Sequence, residues 1–208
     1  MTTNASPYPQ KKKIKTLKQN YNIMALSCPT LKRDLLRSTN CGYSLPEVKD
    51  IYLANYDDVS ATTVADGVAY GDADSSCSGN VVTAISMKTS AQWYHIEPAK
   101  NSTTFEDTLV VEDNGNKYRT HSLTFNVSGK YNQCLHDDLD ALALNRYMAV
   151  VVTADGTWLC LGRIGGLEAE TATLSGGGDS NGLQIVLSGN VTESAVPLAE
   201  AAVNTVKG

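Results

Sequence analysis

The chain of 208 residues contains no apolar run near the roughly 20 residues that a membrane-spanning helix needs, so such a helix is excluded. Aromatic residues are scarce, at 7%, and most are tyrosine: Tyr occurs 10 times, Phe and Trp twice each. The five cysteines (Cys28, Cys41, Cys77, Cys134 and Cys160) are odd in number and widely spaced. They form no C-x-x-C pair and no zinc-type Cys/His spacing, which points to free, mostly buried thiols in a reducing compartment. The apolar stretch after Lys11–Lys18 is only Ile23-Met24-Ala25-Leu26, too short for a secretory signal. Acidic residues are missing from the first 33 positions, which hold Lys11, Lys12, Lys13, Lys15, Lys18, Lys32 and Arg33. The remainder carries 10 basic against 22 acidic residues, a net charge of −12. That acidic body is a poor nonspecific binder of nucleic acid, because phosphate contacts need clustered Lys and Arg.

What is present favours short strands. A hydrophobic content of 42% supports a packed core without disulfide or metal staples. Sixteen glycines among many Thr, Ser, Val, Asn and Asp suit strands and turns better than a helical bundle. Residues 1–23 read as a flexible basic arm, 24–199 as a single β-rich domain, and 200–208 as a C-terminal tail that is helical or frayed. Met24 offers a second possible start.

Period-2 alternation marks strands at Val48–Tyr56, Val81–Met87, Gln92–Glu97, Thr103–Val111 and Lys117–Val127, with a weak candidate at Val64–Tyr70 interrupted by Asp66-Gly67. Thr103–Val111 and Lys117–Val127 flank Glu112-Asp113-Asn114-Gly115-Asn116, where Asn114-Gly115 is expected to supply the positive φ angles of a tight hairpin turn. On the second strand His121, Leu123, Phe125 and Val127 share one face; Thr120, Ser122, Thr124 and Asn126 share the other. A helix is signalled over Gln133–Asn145 by Leu135, Leu139 and Leu142 at i, i+4 and i+7. Tyr147–Thr153, Thr157–Arg163, Leu167–Leu174 and Leu183–Ser188 complete about nine strands at the spacing of an antiparallel β-sandwich or barrel with one flanking helix.

Candidate chemistry is thin. Cys134 and His136 stand two apart on a predicted helix and point in different directions. Asp66, Asp72 and Asp74 lack the calcium-loop spacing. Gly176-Gly177-Gly178 is followed by neither Gly-Lys-Ser/Thr nor a helix, so it is no phosphate cradle. His95, His121 and His136 accompany no G-x-S-x-G or H-E-x-x-H motif, and the alternation around His121 favours a packed residue over a catalytic base. These features argue for no cofactor and against an enzyme.

The segments from Thr103 to Ala199 carry a resemblance. They comprise the long hairpin, the helix Lys130-Tyr131-Asn132-Gln133-Cys134-Leu135-His136-Asp137-Asp138-Leu139-Asp140-Ala141-Leu142-Ala143, and the strand Asn145-Arg146-Tyr147-Met148-Ala149-Val150-Val151-Val152. Asp155–Gly162, Gly166–Ala169 and Asp179–Gly189 follow. With Met24–Asn55, this order resembles virion structural proteins of tailed phages, especially tail-tube-like proteins of phages of Bacteroides-type hosts. The basic lead of 23 residues departs from the family.

The resemblance implies a β-sandwich or barrel that self-assembles into stacked rings, typically hexameric, around a channel that conducts DNA without binding it specifically. It further implies other tail or head-tail proteins as partners, no membrane partner, and a virion assembled in the host cytoplasm. No catalytic residue carries over. The candidate lumen or ring-ring interface is Glu112, Asp113, Asn114, Gly115, Asn116, Lys117, Arg119 and His121. The alternatives are a head-decoration or head-tail adaptor protein and, from another class, a carbohydrate-binding module that would expose Trp93, Tyr94 and Trp158 as stacking platforms.

Overall fold

A computed structural model describes residues 47–69, 78–127, 133–176 and 182–208. The proposed arm, Met24 and the Asp72–Asp74 loop lie outside them, as do the side chains of Asp66, Cys134 and His136. The described residues contain eleven strands and two α-helices. They are β1 (Val48–Asn55), β2 (Val59–Ala69), β3 (Ser78–Met87), β4 (Tyr94–Ile96), β5 (Thr104–Val111), β6 (Lys117–Val127), α1 (Gln133–Leu144), β7 (Arg146–Thr153), β8 (Trp158–Leu161), β9 (Leu167–Ser175), β10 (Gly182–Val191), β11 (Val196–Pro197) and α2 (Glu200–Lys207).

Nine strands form one antiparallel sheet. From one end it runs β5, β6, β10, β9; at Arg146↔Glu168 and Tyr147↔Leu167 it passes to β7, which also pairs with β8 and, on its other edge, with β1. Beyond β1 lies β4, and beyond β8 lies β11. Ile51 and Leu53 of β1, Ala149 and Val151 of β7, Leu123 and Phe125 of β6, and Leu183, Ile185 and Leu187 of β10 bury their side chains in a shared core. The two halves of the sheet are therefore the layers of a sandwich. Leu142 of α1 packs against that core, and the Tyr147 hydroxyl donates to the Ala141 carbonyl at 2.7 Å. This is the flanking helix the leucine spacing predicts.

A second core lies on the reverse face of β7 and β8. Met148, Val150 and Cys160 meet Val82 and Ile85 of β3, Val196 and Leu198, and Ala202, Val203 and Val206 of α2. The C-terminal tail, expected to be either helical or frayed, is a helix that helps to close this core. β7 is buried on both faces, which explains why its sequence is a continuous β-branched run rather than an alternation. Cys160 is a free, fully buried thiol, and burial pushes its ionisation up to about 12.

Candidate functional site

The β5–β6 hairpin carries the eight residues singled out by sequence. Glu112 to Lys117 are all exposed. The turn closes with the Glu112 N–H donating to the Asn116 carbonyl at 2.9 Å and the Gly115 N–H donating to the Glu112 carbonyl at 2.9 Å. The Asn116 N–H reaches Asn114 Oδ1 at 2.9 Å. Only Gly115 has positive φ (86°), so the expectation for Asn114 is corrected. The loop has three residues, 113–115, and in such loops a single left-handed residue follows an ordinary turn. The β7–β8 connection repeats this pattern, with Gly156 at φ 89°.

Arg119 and His121 do not join the exposed tip. His121 is 1% exposed, on the core face with Leu123 and Phe125, so its proposed place at a lumen or ring contact is corrected. Its Nδ1 accepts the Gly162 N–H at 3.1 Å, which requires that nitrogen to be unprotonated. Its Nε2 lies 3.5 Å from Asp107 Oδ1. Asp107 in turn accepts from Arg119 Nε at 2.5 Å and from the Ala195 N–H at 2.9 Å. Burial opposes charge on Asp107, yet the Arg119 and Ala195 hydrogen bonds and the neighbouring His121 and Arg119 hold its carboxyl below the usual range. Beside it, Arg163 forks onto Glu193, with Nε to Oε1 at 2.7 Å, and reaches Thr62 Oγ1 at 3.0 Å. This network fastens the root of the hairpin to the β8–β9 turn and to the segment before β11. Alternation hinted at it, since Asp107 is an acid on the same strand face as Phe105; its partners Gly162, Glu193 and Ala195 carried no local signal.

Burial, with the neighbouring Arg119 charge, lowers the affinity of His121 for a proton more than Asp107 and Glu193 raise it. The unfolded chain therefore takes up this proton first as pH falls. The stabilisation is full above the unfolded value near 6.5 and is lost progressively below it. The melting temperature is expected to fall between pH 7.5 and 5.5, and His121→Gln, which keeps an acceptor for Gly162, should flatten the profile. Thermal denaturation across that range checks this; equal slopes in the two proteins would refute it.

The layer β5-β6-β10-β9 has a distinctive outer face. Opposite the core it presents Thr104, Glu106 and Thr108, then Thr120, Ser122, Thr124 and Asn126, then Gln184, Val186, Ser188 and Asn190, with Thr171, Thr173 and Glu168 on β9. Its two charged residues in this span are acidic, and Lys117 and Arg119 belong to the other face. Among the described residues the outer edge of β5 is unpaired, and β9 beyond Glu168 pairs with β10 alone.

A cleft of about 570 Å³ opens at the end of the sandwich remote from the hairpin tip. Leu53, Phe125, Leu183 and Ile185 form part of its apolar lining, while Glu97, Asp138 and Asn145 contribute polar groups.

The aromatic residues do not form an open platform. Trp93 and Trp158 are half-buried against the second core. Tyr52 stacks between His95 (4.7 Å) and Trp158 (5.4 Å), and Lys207 Nζ lies 5.0 Å from the Trp158 ring centre. Tyr94 alone of the three sugar-platform candidates is largely exposed, at 48%. His95 Nε2 faces Asp50 Oδ1 at 2.9 Å. Among the described residues no three His, Cys, Asp or Glu side chains gather as a metal site, and no helix is long and apolar enough to cross a membrane.

The architecture defines the class as a mainly β, antiparallel sandwich with a flanking helix. Comparison with known proteins adds no narrower assignment: no family model, curated protein or solved structure matches the chain.

Proposed function

We propose that this protein is a non-enzymatic structural subunit of a phage virion, of tail-tube type, that assembles into stacked homo-oligomeric rings around a DNA-conducting channel. The observation that carries the reading is the four-stranded layer β5-β6-β10-β9, in which, among the described residues, the outer edge of β5 is unpaired and β9 beyond Glu168, beside α1, hydrogen-bonds to β10 alone. Its three antiparallel steps make β5 and β9 run in opposite directions. A neighbour related by rotation alone brings its β9 antiparallel to β5, so the sheet can continue from copy to copy. Unpaired edges are natural docking sites, and such head-to-tail contacts close into rings. Apart from Val186, the described outer face of the layer is polar and weakly acidic, and among its described residues no cation stands to hold a phosphate backbone, as a wall along which DNA slides requires.

Negative-stain electron microscopy of the purified protein over a concentration series tests the reading. Hollow rings or striated tubes are expected. Uniform small particles at every concentration would reject it and favour the decoration or adaptor role.

A further inference from the structure

The hairpin tip and the cleft lie at opposite ends of the same strand. β6 pairs with β10 only from Arg119 to Val127, so Val110, Val111, Lys117, Tyr118 and the turn project beyond the layer. Leu109 and Val111 alternate with Phe105 and Asp107, on the face that elsewhere meets the core. Nothing described covers them, and they remain 55% and 57% exposed. The apolar cleft opens around Phe125 and Val127, where β6 ends. From Lys117 of the finger to Phe125 of the cleft is eight steps along β6, about 27 Å.

We propose that this tip is a finger that seats in the cleft of a second copy of the chain, forming the contact that stacks one ring on the next. The inference rests on the ring reading above for its biological setting, but the contact itself needs only two copies. Displacing one copy along β6 brings a finger to a cleft and leaves another finger and another cleft free at the ends. The contact is therefore heterologous and open-ended, as stacking requires. The cleft volume falls within the roughly 300–1,000 Å³ of sites that enclose bound groups. Chemistry matches on the face presented: Leu109 and Val111 suit a lining of Leu53, Phe125 and Ile185, and Lys117, on that same finger face, suits Glu97 and Asp138. Glu112, at the turn, is held by Asn114 Nδ2 at 3.1 Å, which occupies its carboxylate within the finger itself.

The test places a benzophenone amino acid at Val111 in the full chain, mixes equal amounts of ¹⁴N- and ¹⁵N-labelled protein, irradiates and maps the cross-links. Mixed-isotope links to residues 53–55, 94–97 or 138–145 are expected. Links between copies at other sites, with rings present, would overturn the finger contact and leave the rings standing. Linear chains linked at the cleft, without rings, would uphold the finger and overturn the ring reading. No link between copies and no oligomer would remove both. Should the bulky label block docking, Val111→Asp gives a second measure: a weakening of stacking by about tenfold or more, with rings intact, is expected. Unchanged tubes from Val111→Asp would overturn the contact.

Discussion

Leu109→Pro is expected to abolish ring formation and leave the subunit folded. The Glu112 N–H donates across the hairpin to Asn116, and antiparallel ladders alternate inward and outward N–H groups. Counting back from Glu112, the N–H groups at even positions of β5 point to β6, and those at odd positions, Leu109 among them, point to the free edge. Proline at 109 therefore removes a donor that only a neighbouring strand could use. The preceding residue, Thr108, is already extended, as a residue before proline must be. The melting temperature should stay within a few degrees of wild type while mass photometry shows monomers at concentrations where the parent forms rings. Thr108→Pro is the contrast, because it breaks an internal ladder bond and should lower the melting temperature. Rings formed by Leu109→Pro would show that β5 is not the pairing edge.

Gly189→Ala is expected to damage the fold itself. A methyl group there would stand 2.3 Å from the Gly166 carbonyl oxygen and 3.3 Å from Leu167 Cα. The obstacle is backbone, not the end of a flexible side chain, so β9 and β10 would have to separate where the sheet passes to β7. Gly166 itself has φ 81°, which limits how its peptide can move aside. Overpacking of this kind costs about 3 kcal/mol. For a domain of this size that is roughly 10 °C in melting temperature. Calorimetry checks it; a shift of under 2 °C would mean that the corner yields more easily than its geometry implies.

Local patterning made much of this fold legible. The alternation in Lys117–Val127 and the leucine spacing in Gln133–Leu144 locate β6 and α1 within a residue or two. β2 was harder, and only its second half was expected. Its pairing with β3 shifts register at Val59/Ala61, Thr63/Val64 and Ala65/Val68, and each shift breaks the two-residue period that announces a strand. α2 was left between helix and frayed end because eight residues rich in Ala and Val decide little alone; burial of Ala202, Val203 and Val206 against the second core decides it.

The site was legible only in outline. The exposed turn at Glu112–Asn116 followed from its glycine and polar residues. That Val110 and Val111 overshoot the layer depends on where β10 stops, a property of another segment of chain. His121 was read as a packed residue and also placed in the candidate interface. Its burial resolves that conflict, since a histidine whose Nδ1 is held by Gly162 has no free face to offer a neighbour.

The junction of β1 with β7 sets an order of events during synthesis. Ile51 pairs with Val151, 100 residues further along the chain, whereas the β5–β6 hairpin needs only its own turn. At about 5–20 residues per second, β7 leaves the ribosome roughly 5–20 s after β1. The hairpin is complete at Val127 but waits about 3–14 s more for Ala195, the last of the residues that fix its root, and neighbouring chains on one messenger hold such open edges close together. Subunits that reach Ala195 before their edges meet are expected to fold productively, so slower translation between β6 and β11 should favour premature pairing.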